Sequence, residues 1–221
     1  MAGCMTELPV NQIFFGYQFE GGNMGIHSLW LRLQGCAAEC ADCQTPWACE
    51  DGSEEVTVDN MLAKERLEAS SFAVLTVAQL VEVLRDIQPP PYHLVICGGD
   101  PAHYELLELT QHLSDIGYEL VVQTKGTLPM QIDQRTYLSV RPTSFRVAPG
   151  VLVDADEVIL QISEAAQLKE LDLLLEYVDD AITEVFLQPS PEAPEAIDLC
   201  MQLCPERGYR LSYRPDSFCA D

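Results

Sequence analysis

Apolar residues along the second half of the chain follow two alternating rhythms. Short unbroken apolar runs read as buried strands, and stretches with apolar residues three and four apart read as helices. His93–Cys97, Tyr118–Val122, Tyr137–Val140, Glu157–Gln161, Thr183–Leu187 and Arg210–Tyr213 are the predicted strands. Tyr104–Ile116, Glu164–Tyr177 and Ala193–Arg207 are predicted helices, with Gly117 as the stop of the first. In the first half, Ile13–Phe15 and Leu29–Leu33 read as short strands separated by the Gly-rich turn Glu20–Gly25. Thr76 is placed to cap a helix with Val77, Leu80, Val81 and Leu84 on one face, ended by Pro89-Pro90-Pro91. Residues 34–48 carry clustered cysteines and cannot be regular throughout. Residues 49–75 are mixed and acidic and read as a helical or mobile insertion.

Strands alternating with helices predict right-handed crossovers and a parallel sheet. The units are too few for a complete eight-fold barrel. The expected fold is therefore α/β, an open or partial (abbreviated) parallel β/α barrel, in one domain spanning 1–221. In such folds reactive groups gather at the carboxyl ends of strands. The cysteine loop, Gly98-Gly99-Asp100 and Thr124 all follow predicted strands, so one face is expected to carry them.

Charge narrows the partners. Against 12 Lys+Arg stand 35 Asp+Glu, a formal net charge of −23 in 221 residues, while 48% of the chain is hydrophobic. A core can form, so wholesale disorder is unexpected. Nucleic-acid backbones and anionic lipid surfaces attract clustered Lys and Arg, so neither is an expected partner. Small anions need only a local patch. No basic region followed by an apolar run opens the sequence, and no stretch approaches roughly 18 uninterrupted apolar residues. A cytoplasmic location with reduced thiols is expected for the nine cysteines.

Three of those cysteines are the strongest local signal. Cys36-Ala-Ala-Glu-Cys40-Ala-Asp-Cys43 has the pattern C-x3-C-x2-C. Thiolates are soft donors suited to iron–sulfur clusters and zinc. A fully protein-ligated cluster takes four cysteines. Three can hold three irons of a [4Fe–4S] cube and leave the fourth open to a small chelating molecule. A structural zinc site with Cys49 as fourth ligand is the alternative, although closed zinc sites usually pair two distant Cys hooks. Cys200-x3-Cys204 could be such a hook, but the spacing also puts both thiols on one apolar helix face, and core packing is the expectation for them. Cys4, Cys49, Cys97 and Cys219 carry no pattern of their own.

The triplet followed by a Gly-Gly-acidic-Pro strand end resembles the radical S-adenosylmethionine (SAM) superfamily. More narrowly, the chain is similar to the 7-carboxy-7-deazaguanine synthase (QueE) family. The resemblance runs from Val10-Asn-Gln-Ile-Phe through Gln18-Phe-Glu-Gly, Leu31-Arg-Leu-Gln-Gly-Cys36, Cys43-Gln-Thr-Pro-Trp47, Gly98-Gly-Asp-Pro101, Thr124-Lys-Gly-Thr127 and Leu187-Gln-Pro189 to Arg210-Leu-Ser212. It implies a [4Fe–4S] cluster on Cys36, Cys40 and Cys43, with SAM on the open iron. It implies a lyase of queuosine and deazapurine biosynthesis that turns 6-carboxy-5,6,7,8-tetrahydropterin into 7-carboxy-7-deazaguanine with loss of ammonia. A homodimer, an electron-donor protein and Mg²⁺ come with it. By the same resemblance, Gly98, Gly99, Asp100 and Thr124 contact SAM, Thr45 binds Mg²⁺, and Arg32 pairs with the substrate carboxylate. Gln18, Glu20 and Gly98 also belong to the substrate site.

The sequence departs from the family pattern where ligands are held. Gly-Gly-Glu-Pro becomes Gly-Gly-Asp-Pro at Asp100, Phe19 replaces a glycine, and Gln44 replaces an acid. Ser-Pro-Lys becomes Arg141-Pro-Thr143, the lysine expected around Ile159–Gln161 is missing, and Pro215-Asp216 stands in place of a His-Lys pair. Arg141 is a candidate substitute cation for SAM. These changes leave open a relative with a changed substrate, or a non-catalytic binding or regulatory descendant.

Overall fold

The strands at the centre of the chain form because they are apolar on both sides. Strand β4, His93–Gly98, buries Leu94, Val95 and Ile96, and strand β7, Glu157–Ile162, buries Val158, Ile159 and Leu160. Such runs are the signature of parallel strands covered on both faces. The structure is a computed structural model. It describes residues 6–36, 43, 45–49, 53–64, 70–87, 92–143, 147–148, 150–179 and 181–213. Cys4, Cys40, Gln44, Pro89–Pro91, Pro215, Asp216 and Cys219 lie outside the described residues.

The chain divides into two compact units. The first comprises Met1–Gly16, His27–Thr124 and Met130–Tyr137. Its strands are β1 (Glu7–Tyr17), β2 (His27–Leu33), β3 (Ala73–Thr76), β4 and β5 (Glu119–Thr124), in the order β3-β1-β2-β4-β5. β2, β4 and β5 run parallel, with Leu29 opposite Leu94 and Val95 opposite Val121, whereas β3 lies antiparallel to β1. Helices α1 (Val58–Leu62), α2 (Val77–Asp86) and α3 (Leu107–Asp115) belong to this unit.

The second unit comprises Tyr17–Ile26, Lys125–Pro129 and Leu138–Asp221. Strands β6 (Tyr137–Val140), β7, β8 (Glu184–Pro189) and β9 (Arg210–Leu211) follow one another in order, every pair parallel. Helices α4 (Leu168–Leu175) and α5 (Ala196–Arg207) complete it. The mixed α/β class and the parallel strands expected of an abbreviated β/α barrel are thus observed. Among the described residues, no helix is long and apolar enough to cross a membrane.

Thr76 caps α2 as its sequence position predicts. Its hydroxyl accepts from the Gln79 backbone N–H, and the Gln79 side chain accepts in return from the Thr76 N–H, at 3.3 and 2.9 Å. Val77, Leu80, Val81 and Leu84 are the buried face. Thr76→Ala removes half of this reciprocal cap and is expected to cost about 1 kcal/mol of unfolding free energy, read by urea titration. Cys200 and Cys204 pack inside α5, and burial pushes the Cys200 thiol up to about 11. That is the chemistry of a core residue, not of a metal hook.

β3 is absent from the sequence expectation. Four residues are too few for periodicity to separate from the helix they run into. Ala73 and Leu75 are nevertheless buried against β1, so part of the acidic segment 49–75 is sheet.

Candidate functional site

In the first unit, the thiol loop leaves the end of β2 and returns at the short 3₁₀ turn Pro46–Ala48. Gln34 staples the two ends. It is 4% exposed; its amide nitrogen donates to Trp47 O at 3.1 Å and Ser53 Oγ at 2.8 Å, and its oxygen accepts from Asn11 Nδ2 at 2.7 Å. The Gly35 N–H donates to Ala48 O at 2.7 Å. Tyr104 OH donates to the Gln34 carbonyl. The loop's two ends are therefore held together by the chain's own hydrogen bonds.

Cys36, Cys43 and Cys49 form no disulfide, and this closure brings Cys43 and Cys49 together. The Cys43 and Cys49 sulfurs stand 3.9 Å apart, within hydrogen-bonding contact. Burial first, then the two neighbouring thiols, pushes the Cys49 thiol well up. Cys40, the middle member of the triplet, lies outside the described residues.

The end of β4 closes on the same loop, and glycine makes the approach possible. Gly99 N–H donates to Leu33 O and Asp100 N–H to Gly35 O, both at 3.1 Å. A Cβ on Gly99 would stand 1.9 Å from Gly35 O and 3.0 Å from the Cys36 Cβ. Gly98 has φ +131°, and a Cβ there would meet the Leu33 backbone at 2.2 Å. Two glycines in succession are what permits backbone-to-backbone packing this close. Asp100 turns inward. Its Oδ1 accepts from Thr124 Oγ1 at 2.6 Å and from Ala102 N at 3.2 Å, and the carboxylate is fully buried. Asp100 and Thr124 are thus brought together by a bond with each other.

Arg32 points from β2 into an aromatic sandwich. Its guanidinium lies 4.8 Å from the Phe14 ring centroid and 5.6 Å from that of Trp47, and Nη1 donates to Gln12 Oε1 at 3.0 Å. Stacking of this kind holds the planar fork in one orientation. Behind it, burial pushes the Cys97 thiol up while Arg32 opposes the shift. Thr45 precedes the 3₁₀ turn but makes no side-chain cap, so its hydroxyl is not consumed by that turn.

In the second unit a different polar cluster forms. Gln18 is 1% exposed, and its backbone pairs with Gly25 and Ile26 to close the Gly-rich turn. Glu20 accepts from Arg141 Nη1 through both oxygens, at 2.9 and 3.0 Å, and from Gln188 Nε2 at 3.4 Å. Arg141 Nη2 donates to Gln161 Oε1 at 3.2 Å, and Gln161 Nε2 donates to Ser190 Oγ at 3.1 Å. Gln161 occupies the strand on which a lysine is missing from the sequence pattern, and Arg141 brings a cation to it.

Glu157 escaped sequence reasoning. It opens β7, is 2% exposed, and accepts from Gly22 N–H at 2.7 Å and Ser139 Oγ at 2.6 Å. A Cβ on Gly21 would stand 2.3 Å from the Glu157 carboxylate. This acid therefore pins the turn that carries Glu20. The available signal was a charged residue at the head of an apolar strand, which needs a buried partner. Gln34 and Lys64 were also missed, the first hidden in a strand end and the second in the acidic segment.

A soft-donor loop with converging thiols, closed against a glycine strand end, fits an iron–sulfur cluster. No protein-family model matches the chain. Known proteins do resemble it. It is 29% identical over 219 residues to the 7-carboxy-7-deazaguanine synthase of Escherichia coli K12, covering 96% of this chain and 98% of that protein. It is 26% identical over 208 residues to the 7-carboxy-7-deazaguanine synthase of Buchnera aphidicola subsp. Schizaphis graminum, covering 92% and 94%. The crystal structure of QueE from Escherichia coli superposes with a TM-score of 0.86 at 30% identity, covering 94% of each chain.

Proposed function

Since this chain belongs to the 7-carboxy-7-deazaguanine synthase family, we propose that it converts 6-carboxy-5,6,7,8-tetrahydropterin into 7-carboxy-7-deazaguanine with loss of ammonia. It is a radical SAM lyase of queuosine and deazapurine biosynthesis that uses a [4Fe–4S] cluster, SAM and Mg²⁺. The carrying observation is likeness along almost the whole chain together with converging thiols on a loop closed by Gln34. The whole of 1–221 serves as one domain. The enzyme works as a cytoplasmic homodimer with an electron-donor protein.

Cys36, Cys40 and Cys43 would hold the cluster. A cluster held there would supply, with SAM, the one-electron chemistry that the reaction requires. The rest falls to the chain's own side chains. Arg32, packed over the rings of Phe14 and Trp47, presents its fork to the substrate carboxylate. The Thr45 hydroxyl is a hard oxygen suited to Mg²⁺. Gly98 and Gly99 offer backbone to the SAM amino group, and Gly98 also borders the substrate. Asp100 fixes Thr124, so a shorter acid than the family's serves as anchor as much as acceptor. Gln18 and Glu20 carry the substrate turn, and Glu157 keeps that turn in place. Arg141 supplies the positive charge that the absent lysines would have brought for the SAM carboxylate. Its Nη groups are engaged by Glu20 and Gln161, while Nε is without a hydrogen-bond partner among the described residues.

The test is anaerobic incubation of iron-loaded protein with SAM, reductant and the tetrahydropterin, followed by mass analysis. The expected product is 7-carboxy-7-deazaguanine. SAM cleavage without pterin conversion would instead favour a relative with a changed substrate, a reading that the Arg141–Glu20 pair makes concrete.

A further inference from the structure

Lys64 follows helix α1, and its ammonium donates to the Asn11 carbonyl at 2.7 Å and to the Ser71 carbonyl. Both acceptors are neutral, and no carboxylate among the described residues bonds it. Asn11 adjoins Gln12, whose side chain accepts from Arg32. Two cations thus converge on one dipeptide of β1, in a chain where acids outnumber bases 35 to 12.

A purely structural reason covers part of this. β3 pairs with β1 only from Glu7 to Val10, so the strand edge at Asn11 needs another donor. A neutral amide would serve that need. A lysine adds a second positive charge instead; burial first, and then the charge of Arg32, works against its protonated form. Such an arrangement is relieved when an anion arrives. The Trp47 ring that stacks with Arg32 carries another donor, an indole N–H buried without a partner among the described residues.

We propose that Lys64 is a second cation of the carboxylate site built on Arg32, with the Trp47 indole N–H beside it, and that the pair selects pterins carrying a ring carboxylate. This rests on the reading of Arg32 as the carboxylate partner. Arg32 supplies a planar fork, whereas Lys64 supplies a point charge on a flexible stem. Its bonds to two backbone carbonyls hold that charge at the strand edge, so Lys64 is a positioning and specificity residue.

The experiment is anaerobic equilibrium dialysis of the cluster-loaded, SAM-bound protein against two stable ligands, 6-carboxypterin and unsubstituted pterin. Lys64→Met is expected to weaken 6-carboxypterin roughly ten- to hundredfold and to leave pterin within about twofold, while Lys64→Arg retains most of the affinity. Arg32→Gln serves as the control for the underlying reading. If Arg32→Gln weakens 6-carboxypterin and Lys64→Met does not, the second cation is overturned and the Arg32 assignment stands. If Lys64→Met weakens both ligands alike, Lys64 is a strand-edge plug and the proposal also falls. If Arg32→Gln leaves 6-carboxypterin unaffected, the Arg32 reading itself fails and the two-cation site goes with it.

Discussion

Alanine at Cys36 or at Cys43 is expected to abolish cluster loading and pterin conversion while leaving a folded chain. Both thiols are only partly buried on a loop whose closure depends on Gln34, Gly35 and Tyr104, none of which is altered. Loss of a partly exposed side chain from such a loop changes stability little. The metal, by contrast, loses one of three anchors and cannot be held as a cube. Iron per chain should fall from about four in the reconstituted wild type to well under one. Cys200→Ala is the mirror image, because Cys200 is fully buried within α5, away from the thiol loop in sequence. It should keep its iron and lose roughly 1–2 kcal/mol of stability.

Cys49 decides between iron–sulfur and zinc at this loop. Tetrahedral zinc with Zn–S bonds of about 2.3 Å places neighbouring sulfurs about 3.8 Å apart. The Cys43–Cys49 separation of 3.9 Å matches such an edge, so a single thiophilic ion is a chemical rival here. Cys49→Ala should leave iron loading and turnover intact if the triplet alone holds the cluster. Iron loading lost along with Cys49, with one zinc bound per wild-type chain, would sink the cluster assignment.

What could be read from the sequence follows the range of each interaction. Parallel strands such as β4 and β7 announce themselves through local apolar runs. The α2 cap is legible because Thr76 and Gln79 are three residues apart. The thiol triplet is likewise compact, which is why Cys36 and Cys43 could be singled out at once. Glu157 gripping Gly22 spans 135 residues, and Arg141 reaching Glu20 spans 121. No local pattern encodes such pairs. Arg141 could be proposed only from the resemblance, and its partner could not be named at all. Asp100 shows a third kind of limit. The acid was visible, but the direction of its carboxylate toward Thr124 depends on how β4 and β5 lie side by side.

Arg141→Gln is expected to lower the unfolding free energy by about 2–4 kcal/mol, measured by urea titration. The arginine and glutamate side chains are 14% and 15% exposed and bonded through both carboxylate oxygens. An exposed pair would contribute little, but this one is mostly withdrawn from water. Removing the guanidinium takes away the bidentate donor of the Glu20 carboxylate, and the Gln188 amide contacts it only at a long 3.4 Å. Glu20→Gln should cost less, because an amide can still accept from Arg141. The double variant Arg141→Gln with Glu20→Gln should therefore recover part of the loss, giving a coupling of roughly 1–3 kcal/mol. Additive losses would show that the two side chains do not depend on each other. Function separates the remaining roles. If Arg141 only holds Glu20, its loss raises KM for the pterin and leaves SAM binding unchanged. If it also receives the SAM carboxylate, SAM affinity falls in Arg141→Gln but not in Glu20→Gln, since in the latter the arginine is left intact.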